Sequence, residues 1–209
     1  MASVTAAVTP KGERRRYVLI SAAAELLCEG GFEAVRHRAV ARRAGLPLAS
    51  TTYYFSSLDD LVHSAVEFLG AVEAAQLRSR VDALPRRRRG SEATADVLVD
   101  LLVGDLGGAA TNEELISRYE RYIACARQPE LREVQRRLLR QRVDAVAEAM
   151  ARSGRNARVD LVTALVYAVD GAVVSAMVGG GDGPRETARA TLVDMVDVLA
   201  PVDEPTVRV

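Results

Sequence analysis

The chain has 209 residues, 49% of them hydrophobic and 27% charged, with 28 basic residues balanced by 28 acidic ones. That length and apolar content exclude a disordered chain and leave room for one or two domains with a buried core. The two cysteines, Cys28 and Cys125, match no disulfide or metal-ligand spacing, so the expectation is a reduced setting with inert thiols, no metal and no cofactor.

Aromatic residues are scarce and Trp is absent, while Ala, Leu, Arg and Glu are abundant. Most of these are good helix formers, which predicts an all-α chain. Charge is unevenly placed: Lys11 to Phe55 carries 8 basic against 4 acidic residues, and the remainder is correspondingly acidic. The first residues are small and apolar without a basic start, so 1–11 reads as a flexible tail rather than a signal peptide. No uninterrupted apolar run reaches the roughly 18 residues of a membrane span. The expectation is a cytoplasmic protein with no membrane partner.

A first helix is predicted from about Gly12 to Glu29, with Val18, Ala22 and Leu26 beside Ile20, Ala23 and Leu27 at helical spacing, and Gly30-Gly31 ending it. Lys11, Arg14, Arg15 and Arg16 crowd its start, where the helix dipole favours acids, and this points to a phosphate partner. Helix two is predicted over Val35 to Ala44, with Ala39, Val40 and His37 inward and Arg36, Arg38, Arg42 and Arg43 outward. Arg36, at the helix start, is the preferred phosphate candidate because the first-turn N–H groups point the same way.

Next come Gly45, suited to the positive φ of a sharp turn, and Pro47, suited to the first turn of a new helix. That third helix, Leu48-Ala-Ser-Thr-Thr-Tyr-Tyr54, carries hydroxyls and no acid. It reads as the second half of a helix-turn-helix whose Leu48, Ala49, Ser50, Thr51, Thr52, Tyr53 and Tyr54 face DNA, with Arg15 and Arg36 on phosphates. Ser57-Leu-Asp-Asp60 is a capping-box-like start for a long fourth helix, which Pro85 stops after Leu84. The arginine run Arg86 to Arg89 is carried away from the DNA end by that helix and reads as a solvated loop.

Five further helices are predicted: Glu92 to Leu106, Asn112 to Gln128, Pro129 to Arg152, Ala157 to Val178 and Pro184 to Leu199. Gly107-Gly108, Gly154 and Gly179 to Gly183 punctuate them. Leu115, Tyr119, Tyr122, Ile123 and Ala126 fall on one face of the Asn112 helix. Leu161 to Val178 is apolar on nearly all sides apart from Asp170, so one face needs a second cover. Together with Ala188, Leu192, Met195, Val196 and Leu199 it predicts a homodimer through the last two helices. Tyr119, Tyr122, Tyr167, Asp170 and Met177 are the candidate effector-binding residues; each can equally serve the core, and Asp170 must find a partner in either role.

Arg16-Tyr-Val-Leu-Ile-Ser-Ala-Ala23, Gly31-Phe32, Val40-Ala41, Ala44-Gly45, Tyr53-Tyr54-Phe55 and Leu61 together resemble the DNA-binding domain of the TetR family of transcriptional repressors. The resemblance covers about Arg14 to Val62. It implies about nine helices: a three-helix helix-turn-helix domain over 12–56, a helical effector-binding and dimerisation domain over 57–200, and a tail over 201–209. It also implies a homodimer on a palindromic operator, released by an unidentified small molecule. Two positions depart from the family pattern. Thr51-Thr52 replace a usual Leu-Tyr pair, and Leu58 replaces a lysine that often meets phosphate.

Two other functions compete. A DNA-binding regulator whose large domain only dimerises or meets another protein fits the same residues. An all-α enzyme does not, because the chain offers no paired-histidine motif, no phosphate loop and no nucleophile beside a base.

Overall fold

The computed structural model describes residues 10–104, 111–179 and 181–201. The tails, apart from 10, 11 and 201, lie outside these, as do Gly107-Gly108 and Gly180. Among the described residues the helices are α1 (Pro10–Ala34), α2 (His37–Ala44), α3 (Leu48–Tyr54), α4 (Leu58–Ala83), α5 (Ser91–Leu102), α6 (Asn112–Arg127), α7 (Pro129–Arg152), α8 (Val159–Gly179) and α9 (Pro184–Leu199). The all-α expectation holds.

The chain divides into two compact units, one of residues 1–71 and 120–134, the other of 72–119 and 135–209; α4, α6 and α7 contribute residues to both. The expected division at residue 56 took no account of long helices that supply both cores.

In the first unit, α1 buries Leu19, Ala23 and Leu27 against Val35 and Val40 of the α2 region, Phe55, and Leu61 and Ala65 of α4. Cys125, Leu131 and Val134 complete this core. Helical geometry in α1 breaks at Gly30 and at Gly31, whose φ of 63° places it in the left-handed region. The predicted end at this glycine pair is therefore a kink, followed by a last short turn. The start of α4 is capped as expected: Ser57 Oγ accepts from the Asp60 N–H at 3.0 Å. The return bond to Asp60 Oδ2 comes from the Ser56 N–H at 2.9 Å, one residue earlier than in the usual box.

In the second unit, α8 and α9 pack most extensively on each other, and α5 packs on α9. Leu98, Leu102, Val146, Met150, Leu165, Val169, Leu192 and Val196 fill the centre. Two buried arginines staple helix ends together. Arg155 donates to Asp197 Oδ1 and the Ala200 carbonyl, both at 2.8 Å, and to Thr94 Oγ1 at 3.2 Å, joining the start of α5 to the end of α9. Arg89 donates to the carbonyls of Pro85, Arg87 and Arg152 and to Ser153 Oγ. Burial and the neighbouring Arg87 charge depress its pKa.

Several expectations are corrected here. The run Arg86 to Arg89 is only partly a solvated loop: Arg89 is buried and Arg86 pairs with Glu148 at 2.9 Å. On α6 the inward positions are Leu115, Ser117, Arg121 and Cys125, whereas Ile123 is 59% exposed. An apolar count missed this register because two of its four members are polar. Ala188, Leu192 and Val196 are fully buried within their own unit and so are unavailable to a partner. Finally, α8 is long and apolar enough to cross a membrane by length and composition, with mean hydropathy 2.0. A count of uninterrupted apolar residues stops at Asp170, while an average tolerates one charge. Its buried face packs on α9 and Asp170 is ion-paired with Arg142, while 28% of the apolar window is buried within this chain.

Candidate nucleic-acid interface and effector site

The turn between α2 and α3 is built by backbone chemistry. Gly45, at φ 64°, donates to the Arg42 carbonyl at 3.2 Å while Leu46 N–H donates to the Ala41 carbonyl at 3.0 Å, the paired bonds of a Schellman motif. Pro47 (φ −58°, ψ 145°) caps α3 from just outside, one residue earlier than expected, and the Pro47 carbonyl accepts from Ser50 N–H at 2.9 Å. The short α3 is thereby aimed by the end of α2.

On α3 the hydroxyls divide. Thr51 is fully buried and its Oγ1 donates to the Leu48 carbonyl at 2.8 Å, so it packs inward and is removed from the expected DNA-facing set. Leu48, Ala49, Thr52 and Tyr53 are exposed, Tyr53 to 78%, and Ser50 is half-buried. Thr52 Oγ1 donates to the Ala49 carbonyl at 3.2 Å and keeps its lone pairs for an outside donor. Tyr54 packs against the core and meets Tyr53 edge to face, ring centroids 4.8 Å apart.

The arginines divide as well. Arg15 is exposed and without a partner among the described residues. Arg36, the preferred phosphate candidate, is instead held by Glu33 and by the carbonyls of Val35 and Phe32. Glu33 lies three residues before it, a pairing the helix-start argument did not weigh. Arg43 is bound by Glu25 and Glu29 of α1. Arg16 donates to Ser64 Oγ at 3.3 Å and lies over the Phe55 ring. Arg38 and Arg42, four apart on α2, are exposed with no partner among the described residues. Sequence reasoning placed both outward yet left them out of the site, although their i,i+4 spacing beside the turn was a usable signal. His37 is half-buried, with Nδ1 lacking a hydrogen-bond partner.

Of the expected effector residues, the second unit joins two. Tyr119 Oη donates to Asp170 Oδ1 at 2.9 Å, and Arg142 grips the same carboxylate with both terminal nitrogens, at 2.7 and 3.0 Å. Arg142 was missed. Its signal was register: it follows Leu131, Val134 and Leu138 along the buried stripe of α7, where a cation needs a carboxylate. Met177 lies partly buried against the core. Tyr167 is 53% exposed, on the outward stripe of α8 with Gly171, Val174 and Val178, apart from the Asp170 triad. Tyr122 belongs to the first unit and is half-buried. An open depression of about 580 Å³ over Gly90, Ser91, Glu92, Ala93, Asp96, Val193 and Asp197 contains none of the five expected residues.

Residues 19–65 match the model of bacterial regulatory proteins of the tetR family, and residues 89–198 match that of the tetracyclin repressor-like C-terminal domain. The chain belongs to the TetR family. Its helix-turn-helix is accordingly a DNA-binding domain of a transcription regulator. Solved structures resemble this TetR-family chain in fold. The multidrug binding protein EbrR in complex with ethidium is 29% identical, with 87% of this chain and 98% of that one covered at a TM-score of 0.63. A protein from Saccharomonospora viridis in complex with choline shares the fold at 16% identity, with coverage of 88% and 96% and a TM-score of 0.69. A transcriptional regulator from Streptomyces coelicolor A3(2) does so at 23% identity, with coverage of 85% and 96% and a TM-score of 0.63. No curated protein matches the chain.

Proposed function

We propose that this TetR-family protein is a cytoplasmic, homodimeric repressor that binds a palindromic operator and leaves it when a small-molecule effector binds the C-terminal helices. The observation that carries the DNA half is the pairing of an acid-free α3 face, exposed at Leu48, Ala49, Thr52 and Tyr53 with Ser50 half-buried, with Arg15, Arg38 and Arg42, which have no partner among the described residues. Hydroxyls and Tyr53 reach base edges and phosphates, and the three arginines supply the salt-dependent attraction.

Dimerisation is supported by the outward stripe Tyr167, Gly171, Val174 and Val178 of α8; Val198 of α9 is also 77% exposed. Large apolar groups on one face need cover, and a two-fold copy of the same stripe provides it. Val174→Asp is expected to yield a monomer by light scattering, with operator affinity falling in step.

The effector half is supported by EbrR, whose complexes hold ethidium, proflavin, malachite green or imidazole. Tyr119, Asp170 and Met177, all of the second unit, are the proposed contacts. A second reading, in which the large domain only dimerises or meets another protein, is favoured by the internal pairing of Asp170 with Arg142. Gel shifts on the DNA flanking the gene, repeated with a panel of metabolites and drugs, separate the two. Release by a panel member supports the effector, and operator binding untouched by any of them supports the second reading.

A further inference from the structure

We infer that α3 reads its operator half-site through thymine C5-methyl groups, with Leu48, Ala49 and the Thr52 methyl as the reading surface and the Thr52 oxygen accepting from a base amine. The inference rests on the proposal that α3 enters an operator's major groove, and it names the base edges recognised there.

At about 100° of turn per residue, the exposed residues of α3 fall on one face. Thr52 and Ala49 hold its middle, with Leu48 at one margin and Tyr53 at the other. Thr51 is fully buried and Ser50 half-buried, so both lie round the helix from this face. The middle of the face offers a narrow chemistry. Leu48 and Ala49 present only carbon. Thr52 Oγ1 spends its proton on the Ala49 carbonyl at 3.2 Å, which leaves lone pairs on the oxygen and a methyl on the other branch.

The base edges then fare differently. Arg or Lys for guanine, and Asn or Gln for adenine, are the side chains that read a base with two bonds, and the α3 sequence Leu48-Ala-Ser-Thr-Thr-Tyr-Tyr54 contains none of them. Guanine shows two acceptors in the major groove, and the middle of this face has no donor to meet them. Thymine shows the groove's one apolar group, its C5-methyl, and adenine shows an amine. An A·T pair therefore suits both halves of the face: its methyl packs on Leu48, Ala49 or the Thr52 methyl, and its amine donates to Thr52 Oγ1. Tyr53, longer and at the margin, is left for a phosphate.

Anisotropy titrations of the full-length protein test this on a palindrome selected from random DNA. Each thymine is replaced in turn by deoxyuridine, which removes the methyl and keeps every hydrogen-bonding group. At the thymines that α3 reads, binding is expected to weaken about fourfold per methyl, the transfer energy of one buried carbon. Thymines elsewhere in the duplex are expected to tolerate the change. Leu48→Ala, and Thr52→Ser, which keeps the oxygen and drops the methyl, are each expected to abolish the penalty at one thymine and leave it at the others. Thr52→Val is expected to keep the penalty and lose the preference for the amine-bearing base. Should Leu48→Ala not fold, Thr52→Ser decides the matter. A palindrome bound equally well with deoxyuridine at every thymine overturns the inference and leaves the repressor reading in place. So does a selected half-site without thymine, or a penalty undiminished in both variants, which would belong to the stiffness of the duplex. Equal binding of the palindrome and its scrambled counterpart removes the repressor reading, and this inference with it.

Discussion

Arg43 of α2 donates from Nη2 to Glu29 of α1 at 2.6 Å, and its Nη1 reaches both Glu29 and Glu25, at 2.8 and 3.1 Å. Hydrogen bonds from Arg43 lead the causes that hold the Glu29 carboxyl below its ordinary pKa. This arginine fastens α2 to α1, whereas Arg38 and Arg42 on the same helix have no such tie among the described residues. Arg38→Ala and Arg42→Ala are each expected to weaken operator binding and to reduce the slope of log K against log salt by about 1. Arg43→Ala is expected to lower thermal stability slightly and leave the slope unchanged. Anisotropy titrations across a salt series, with melting curves, distinguish them.

Thr51 and Thr52 make a matched pair, adjacent in sequence and opposite in exposure. Thr51→Val loses one side-chain bond to a backbone carbonyl, so stability is expected to change by about 1 kcal/mol with operator affinity retained. Thr52→Val and Tyr53→Ala are expected to leave the fold intact and to weaken operator binding by about tenfold each, without a matching loss on nonspecific DNA. Equal effects of the two threonine substitutions on DNA affinity would place both on the same side of α3.

Gly45 sits at φ 64° with open space where a Cβ would project. The cost of Gly45→Ala is then a backbone cost, about 1 to 2 kcal/mol in denaturant unfolding. Operator affinity, corrected for the folded fraction, is expected to persist, because the Schellman bonds are made by main-chain atoms.

The helices and this turn were legible because they depend on local signals: Gly45 and Pro47, the apolar spacing of α1, and the Ser57 to Asp60 cap. The long helices that feed both cores were not read as such, since which unit a residue serves depends on distant partners. The same limit applied to Arg89 and Arg142, each visible as a charge, since a buried staple and an internal counter-ion look alike until the facing helix is known. Arg36 was a local miss, because Glu33 three residues before it was readable. Thr111-Asn-Glu-Glu114 is a different miss. Its reciprocal bonds, 2.7 Å from Thr111 N–H to Glu114 Oε2 and 3.3 Å from Glu114 N–H to Thr111 Oγ1, follow a spacing that was readable.

Asp197 gives the pH dependence a sign. Its pKa is lowered, first by the Ser91 hydroxyl and then by Arg155. A depressed carboxyl contributes stability that is fully present above the ordinary aspartate value of about 3.9 and is lost as the pH falls through the native one. Asp197→Asn is therefore expected to be less stable than wild type at neutral pH, with the difference shrinking as the pH drops below that range. Thermal melts from neutral to acid pH for both proteins measure the convergence; a gap that is constant with pH would remove the ionic contribution.

The central claim is that the exposed α3 face and the exposed Arg15, Arg38 and Arg42 of α1 and α2 read one DNA sequence under electrostatic control. The most direct measurement is fluorescence anisotropy with a palindrome selected from random DNA against its scrambled counterpart, between about 50 and 200 mM salt. The predicted result is one dimer per palindrome, a clear preference over the scrambled duplex, and log K falling linearly with log salt. Equal affinity for both duplexes with no response to salt would contradict it.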